Sequence, residues 1–229
     1  DKNDFALFGS KDLKTWKRFC DIAVPGTSEC PEFFEMPVDG DRSNTRWVFY
    51  GGNGGYLIGR FDGTAFAPES GPHALNYGNC FYASQTFNNI PPKDGRRIQI
   101  AWGRVGHPDM PFNQMMDFPV ELTLRTTDEG LRLFAKPVRE IERLHRKRHR
   151  WRNTMLKEGD NLLEGITGDL YHIVAEFKVA NAREFGLTIR GTSVTYNVQN
   201  QALSCREKTA SLKPADGKIQ LEILVDRTS

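Results

Sequence analysis

The stretch RWVFYGGNGGYLIGRFDG, residues 46–63, contains two strand-like runs of β-branched and aromatic residues, separated by a glycine-rich turn. Such runs favour β-strands, and the Asp-Gly pair that follows the second run is a hairpin signal. The same combination recurs nearby, with strand-like runs at 5–10 and 96–104 and further Asp-Gly pairs at 39–40 and 94–95. The sequence therefore predicts an all-β region over residues 1–135.

The spacing of these runs indicates a repeat. Phe5, Trp47 and Ile98 lie 42 and then 51 residues apart, which is about the length of one four-stranded propeller blade. Three irregular units are also compatible with a β-sandwich, because short strands joined by hairpins produce nearly the same pattern. These residues alone do not distinguish a β-propeller from a β-sandwich.

The pattern changes near residue 136. Val138, Ile141 and Leu144 follow Pro137 at a three-residue spacing, which predicts a short helix within a linker over 136–152. Beyond the linker, polar and apolar residues alternate as they do in a half-buried antiparallel sheet. The strand-like runs lie at 169–179, 184–191, 194–200 and 218–226. We therefore expect a second, sandwich-like β domain over 153–229.

Composition excludes several classes of protein. The 229 residues are 38% hydrophobic and 26% charged, with a formal net charge of +2, so no overall field attracts nucleic acid or an anionic membrane. No apolar run approaches the roughly 20 residues of a membrane helix. The four cysteines are scattered without Cys-x-x-Cys spacing, which predicts neither a disulfide framework nor a zinc site. We expect no nucleic-acid partner, no membrane partner and no metal.

The linker is the one strongly basic segment. Residues 143–152 carry six Arg or Lys and two His, which suggests either a solvated helix face or a phosphate-binding surface. A phosphate-binding surface normally gathers basic residues from several elements, so the solvated face is the preferred interpretation. His145 and His149 have the i, i+4 spacing of a metal pair, but the surrounding arginines and lysine would repel a cation.

Carboxylates are concentrated in SECPEFFEMP, residues 28–37. Glycosidases need one carboxylic acid to protonate the leaving group and one carboxylate on the other face of the sugar. Glu29, beside Cys30, Pro31 and Phe33, suits the acid, because apolar neighbours favour the protonated form. Glu32 could act as its electrostatic neighbour. Spacing alone equally allows a turn whose acids all face water.

A resemblance favours the catalytic interpretation. The segment ECPEFFEMPVDGDRSNTRWVFYGGNGGYLIGRFDG (29–63) resembles the acid/base region of glycoside hydrolase family 32, the levanases, inulinases and invertases. Further segments resemble the family in the same order along essentially the whole chain: LFGSKDLKTW (7–16), FYASQTF (81–87), RIQIAWGR followed by MPFNQMMDFPVELTLR (110–125), LRLFAKPVREI (131–141) and LVDRTS (224–229).

The resemblance implies a fold and a reaction. The expected fold is all-β, part of a five-bladed β-propeller followed by a β-sandwich. The expected reaction is retaining hydrolysis of β-fructosidic bonds in fructans or sucrose-type sugars, without a cofactor. Glu29 would be the catalytic acid/base, and Glu32 stands where the family has aspartate. The substrate-binding residues would be Cys30, Glu32, Asn53, Tyr82 and Trp102; for Tyr82 and Trp102, a place in the blade core is the alternative.

One part of the family pattern is missing from these residues. The nucleophile of the family lies in a WMNDPNG-type motif and a stabilising aspartate in an Arg-Asp-Pro motif, whereas this chain has NDF at 3–5 and no Arg-Asp-Pro. We expect the chain to be a fragment that lacks the first blades and the end of the sandwich, and to be inactive in isolation. The alternative is a non-catalytic carbohydrate-binding or structural module. Because polymeric fructans do not readily enter cells, a secreted or periplasmic location is expected.

Overall fold

The computed structural model describes residues 4–227, and nearly all regular structure in this range is β. In chain order the strands are β1 (Asp4–Gly9), β2 (Lys17–Ala23), β3 (Glu32–Val38), β4 (Asp41–Tyr50), β5 (Gly55–Phe61), β6 (Phe66–Ala74), β7 (Phe81–Thr86), β8 (Arg97–Gly103), β9 (Met115–Met116), β10 (Val120–Thr127), β11 (Gly130–Pro137), β12 (Tyr171–Lys178), β13 (Glu184–Ile189), β14 (Thr192–Asn197), β15 (Ala202–Cys205), β16 (Lys208–Ser211) and β17 (Lys218–Val225).

The chain forms two compact units, the first ending at Arg143 and the second beginning at Leu144. The first unit contains two four-stranded antiparallel meanders, β3 to β6 and β7-β8-β10-β11, together with the hairpin β1–β2. A four-stranded antiparallel meander is the usual form of a propeller blade. We call β3 to β6 the first sheet and β7-β8-β10-β11 the second sheet.

The hairpin turns occur where the Asp-Gly pairs predict them. Asp39 and Gly40, between β3 and β4, have φ angles of 53° and 80°, and Gly63 and Gly95 have φ angles of 96° and 66°. Positive φ at both central residues matches the twist of the flanking strands, and Asp-Gly adopts it readily. The turns at Gly40 and Gly63 fix the register of the first sheet. Its central strands β4 and β5 are buried on both faces, with Tyr50 and Ile58 in one core cluster and Phe49 and Leu57 in another.

The two sheets share one apolar core. Phe34, Met36 and Val38 alternate along β3 and are at most 5% exposed, so one face of this strand is buried. They pack with residues of both sheets, among them Tyr50, Tyr56, Ile58, Leu122, Leu124 and Leu133. The aromatic and β-branched residues that mark the strands in the sequence are therefore also the residues that join the sheets.

Two polar contacts reinforce the junction between the sheets. At the start of β3, the Glu32 carboxylate accepts hydrogen bonds from the backbone N–H and the hydroxyl of Thr86, at 2.9 and 2.8 Å. Just beyond the other end of β3, the Asp39 carboxylate makes the same two contacts with Thr126. Each of these two carboxylates is thus satisfied by a threonine of the second sheet.

The second unit is built from a two-stranded sheet, β12–β17, and a four-stranded sheet, β13-β14-β15-β16. Tyr196 of β14 and Ile219 and Leu221 of β17 form its buried centre, with Phe177 and Phe185 packed against them. Because these side chains come from both sheets, the sheets face each other across an apolar layer. This arrangement agrees with the predicted sandwich. Residues 228–229 of the quoted LVDRTS segment lie outside the described residues.

The helical part of the 136–152 linker is the short helix predicted after Pro137. β11 continues to Pro137, a 3-10 helix covers Arg139–Leu144, and residues 145–152 have no regular secondary structure. The basic side chains after Leu144 explain why the helix ends there, because like charges three or four positions apart destabilise a helix. A helical His145–His149 pair is consequently absent.

The two histidines of the linker have separate partners. The Nε2 atom of His145 lies 2.9 Å from Nδ1 of His172, and His149 stacks on Trp151. The other ring nitrogen of His172 lies 2.9 Å from a Glu222 carboxylate oxygen. Across residues 4–227, no group of three or more His, Cys, Asp or Glu side chains is arranged to hold a metal ion.

Replacing Thr86 by Val should lower the free energy of unfolding by about 1–3 kcal/mol, because it leaves the Glu32 carboxylate and an Arg97 N–H without their hydroxyl partner. Thr126→Val removes the equivalent hydroxyl at the exposed Asp39 contact and should cost less. Urea unfolding of both variants measures the difference. Equal losses would contradict the account of the junction.

The stability of the first unit should also fall in acid. Arg96 donates to both Asp94 and Glu140, and these bonds hold the pKa of each carboxyl at about 2. Carboxyls in the unfolded chain have pKa values near 4, so the unfolded state binds protons first. The stabilisation is complete above about pH 5 and is lost as the pH falls towards 2.

Urea unfolding across this pH range should show a shallower pH dependence for Arg96→Met than for the unsubstituted chain. An unchanged dependence would mean that Asp94 and Glu140 do not contribute through Arg96.

Candidate active site

Glu29 lies at the end of the loop between β2 and β3, where the chain turns into the first sheet. The next residue, Cys30, has a φ angle of 51°, and the carbonyl oxygen of Glu29 accepts a hydrogen bond from the Gly52 N–H at 3.0 Å. The side chain of Glu29 is exposed, and its carboxylate accepts a hydrogen bond from the hydroxyl of Tyr82. The backbone of Glu29 is therefore fixed by the first sheet and its carboxylate by the second.

Glycine is required at position 52 by close packing. A Cβ atom there would lie 2.8 Å from the Cys30 Cβ, 3.2 Å from the Glu29 carbonyl oxygen and 3.3 Å from the Ala83 Cα. The glycine-rich turn between β4 and β5 thus lets the Glu29 loop approach both sheets. Cys30 packs against this turn and is half-buried.

Asn53 supports the same loop through its amide group. Its Oδ1 atom accepts hydrogen bonds from the Thr27 hydroxyl at 2.8 Å and from the Gly55 N–H at 3.0 Å, and its Nδ2 donates to the Gly26 carbonyl at 2.8 Å. These bonds join the β4–β5 turn to the residues just before Glu29. The structure therefore places Asn53 behind the loop that carries Glu29.

The Tyr82 ring contacts two residues: Trp102, which the sequence analysis named as a candidate, and Arg104, which it did not name. Trp102 is directly opposite Tyr82 in the β7–β8 ladder, with ring centroids 6.3 Å apart in an edge-to-face arrangement. The Arg104 guanidinium lies over the Tyr82 ring, 4.5 Å from its centroid. The pKa of the Tyr82 hydroxyl is raised above its ordinary value, chiefly by the hydrogen bond to Glu29, and the nearby Arg104 charge offsets part of this rise.

Trp102, near the end of β8, lies between Tyr82 and Met116 in a row of paired residues that we call the exposed row. It pairs with Tyr82 on one side and with Met116 of β9 on the other, and residues paired in this way project from the same face. Trp102 is 39% exposed and Met116 is 57% exposed, so Trp102 is not part of the blade core. The row leads away from Glu29 and offers an apolar surface of the kind that sugar rings stack on.

Glu32 faces the junction between the sheets rather than the exposed row. Both of its carboxylate oxygens accept hydrogen bonds from Thr86, whose side chain is 7% exposed. Directly across β3–β4 lies Tyr50, whose pKa is raised to about 12 by burial, with a further contribution from the Glu32 charge. Of the two acids in the ECPE sequence, Glu29 alone has an exposed side chain.

The sequence interpretation missed Arg104. The sequence did contain one signal for Arg104: it and Trp102 flank Gly103, and side chains two positions apart in a strand share a face. Which residue lies under the guanidinium depends on the β7–β8 register, however, and that register contains an irregularity between Tyr82 and Gln85. No local sequence pattern specifies it.

Family models agree with this arrangement along the chain. The model described as glycosyl hydrolases family 32 N-terminal domain matches residues 1–137, and the model described as glycosyl hydrolases family 32 C terminal matches residues 140–229. The chain belongs to glycosyl hydrolase family 32.

Curated members of the family are similar over part of their length. A levanase of Bacillus subtilis (strain 168) is 34% identical over 97% of this chain and 40% of its own length. An extracellular exo-inulinase of Aspergillus niger is 27% identical over 82% of this chain and 40% of its own. The family 32 chain thus spans about two-fifths of the length of these relatives.

Solved structures share the fold. An exo-inulinase from Aspergillus awamori superposes with a TM-score of 0.78 at 23% identity, covering 99% of this chain and 54% of the other. A family 32 β-fructofuranosidase of Bombyx mori, as a mutant in complex with sucrose, gives 0.60 at 19% identity, covering 99% and 52%. Like these enzymes, the chain combines part of a β-propeller with a β-sandwich, as the sequence predicts. No helix within residues 4–227 has the length and apolar character needed to span a bilayer.

Gly52→Ala should displace the Glu29 loop, since the added methyl group meets Cys30 and the backbone of Glu29. We expect faster amide hydrogen exchange in residues 26–31 and unfolding at a lower urea concentration. Gly106→Ala is the matched control, because a Cβ at that position meets open space. If the two variants exchange alike, close packing at Gly52 does not hold the loop.

Proposed function

We propose that this chain supplies the acid/base residue, Glu29, of a retaining glycoside hydrolase that cleaves β-fructosidic bonds. The observation that carries the proposal is the placement of Glu29: an exposed carboxylate, anchored through its backbone to Gly52, bonded to Tyr82 and next to the row that contains Trp102. Membership of family 32 supports the reaction class, and the levanase, inulinase and fructofuranosidase relatives support fructans or sucrose-type sugars as substrates.

The proposed chemistry follows from a carboxyl that is protonated at the start of the cycle. Protonated Glu29 transfers its proton to the glycosidic oxygen while an aspartate carboxylate attacks the anomeric carbon and forms a covalent fructosyl intermediate. The bond between the anomeric carbon and the glycosidic oxygen breaks in this step, and the rest of the substrate leaves as an alcohol. The resulting Glu29 carboxylate then takes a proton from water, whose oxygen attacks the same carbon and releases fructose. Each cycle returns Glu29 to its protonated form and consumes one water.

Tyr82 assists the second half of this cycle. Its hydroxyl donates to the Glu29 carboxylate, so it stabilises the charged form that must accept a proton from water. The bond also holds the carboxylate in one orientation. Trp102, beside Tyr82, offers an aromatic edge and face to the sugar.

Catalysis needs a partner carboxylate that this sequence does not identify. These 229 residues contain neither a WMNDPNG-type motif nor an Arg-Asp-Pro motif, and Glu32 is bonded to Thr86. We propose that another part of a longer polypeptide supplies the nucleophile, at the separation of about 5–5.5 Å from Glu29 that retaining enzymes use. The 229-residue chain alone would then not turn over fructosides.

We propose from the substrate class that the enzyme is secreted or periplasmic. Polymeric fructans cross membranes poorly, and one of the similar inulinases is named as extracellular. No cofactor takes part in the proposed steps.

Glu29→Gln in the complete polypeptide should reduce kcat on a fructan or sucrose by about 10²–10⁴-fold, because glutamine cannot donate the proton. Binding should be retained, since the amide fills the same space. Glu35→Gln is the control: Glu35 lies on β3, is exposed and bonds to Thr45. Steady-state kinetics and binding calorimetry measure both effects. Unchanged turnover in Glu29→Gln would contradict the assignment, and sugar binding without any turnover in the unsubstituted polypeptide would favour the non-catalytic module.

A further inference from the structure

Arg104 follows the last residue of β8 but still belongs to the ladder with the β7 side. Its backbone N–H donates to the Cys80 carbonyl at 2.8 Å, one position beyond the Phe81–Gly103 pair. Gly103 projects towards the opposite face, where a Cβ atom would meet the Asp117 carboxylate at 2.5 Å. Alternation therefore puts Arg104 and Trp102 on the same face.

Together these two side chains enclose the ring of Tyr82. Arg104 covers the ring face at 4.5 Å from the centroid, and Trp102 meets the ring at 66° with centroids 6.3 Å apart. The exposed end of this ring bears the hydroxyl that donates to Glu29. A ring held by two neighbours delivers its hydroxyl to a narrower set of positions than a free one.

The positive charge of Arg104 acts on the hydrogen-bonded pair of Tyr82 and Glu29. Within residues 4–227 the Arg104 guanidinium forms no ion pair with a carboxylate, whereas Arg46, Arg60 and Arg96 all do. Its positive charge offsets part of the rise in the pKa of the Tyr82 hydroxyl that the bond to Glu29 causes. A more acidic hydroxyl is the stronger donor, so Arg104 strengthens the bond from Tyr82 to Glu29.

We propose that Arg104 is a positioning residue for the acid/base: stacked on Tyr82, it holds the tyrosine hydroxyl on Glu29 and, through that bond, favours the Glu29 carboxylate. The inference rests on the proposed function of Glu29. It assigns a role to a residue outside the ECPE sequence, and it predicts that Arg104 affects catalysis only while Tyr82 is present.

The test compares Arg104→Met and Arg104→Lys in the complete polypeptide with sucrose as substrate. Methionine keeps apolar packing on the ring but removes the charge. We expect a two- to fivefold lower kcat, roughly the effect of losing one exposed cation–π contact, with KM less affected. The alkaline limb of the kcat/KM profile should move to higher pH, because a Tyr82 hydroxyl that is held less firmly stabilises the Glu29 carboxylate less. Lysine keeps the charge and should leave this limb near its original pH.

A double-mutant cycle with Tyr82→Phe tests whether Arg104 acts through the tyrosine. In the Tyr82→Phe background, Arg104→Met should change neither kcat nor the pH profile further. Arg125→Met is the matched control, since Arg125 makes the same kind of contact with Phe134, 5.0 Å from the ring centroid, on the strand pair β10–β11. It should leave kcat and the profile unchanged.

Three results would overturn the proposal. The first is an Arg104→Met effect on kcat of the same size with and without Tyr82. The second is an effect on KM alone. The third is no effect on kcat or KM in a polypeptide whose turnover Glu29→Gln abolishes. The third result would reject the positioning role of Arg104 and keep Glu29 as the acid/base. Full turnover in Glu29→Gln would instead reject the proposed function itself, together with this role for Arg104. Urea unfolding of each variant separates these outcomes from loss of the fold.

Discussion

The bond between Glu32 and Thr86 is the contact on which the arrangement of the site depends. A carboxylate at the partly buried start of β3 needs hydrogen-bond donors, and the second sheet supplies a backbone N–H and a hydroxyl. This bond ties the start of β3 to the end of β7. Glu29 lies three residues before Glu32, and Tyr82 lies four residues before Thr86, so the same two strands also bring the Glu29 carboxylate to the Tyr82 hydroxyl. One acid of the ECPE sequence joins the sheets, and the side chain of the other stays exposed.

The loop that bears Glu29 is held from behind by the β4–β5 turn. Gly52 permits close approach, and Asn53 bonds to Gly26 and Thr27. These contacts restrict the backbone while the carboxylate stays exposed. Rigid backbone support with an accessible functional group is the arrangement that acid/base catalysis needs, because proton transfer requires the carboxyl within hydrogen-bonding distance of the reacting oxygen.

The sequence predicted the parts of the structure that depend on local chemistry. Asp39-Gly40 predicted its hairpin because Asp-Gly readily adopts positive φ, and the two strand-like runs on either side of the glycine-rich turn form β4 and β5 as expected. The three-residue apolar spacing after Pro137 predicted a short helix, and a 3-10 helix covers Arg139–Leu144. The position of Arg104 over Tyr82 could not be predicted, because it depends on an irregular register between two strands. The contact of Glu32 with Thr86 joins residues 54 positions apart and has no local signal.

The central claim is that Glu29 is the group that meets the glycosidic oxygen. A crystal structure of the complete polypeptide carrying Glu29→Gln, with an unhydrolysed fructo-oligosaccharide bound, tests it most directly. The account predicts the glutamine side chain about 3 Å from the glycosidic oxygen, with the sugar against Trp102 and Tyr82 beside the glutamine. A sugar whose glycosidic oxygen lies out of reach of residue 29, or next to another acid, would contradict it.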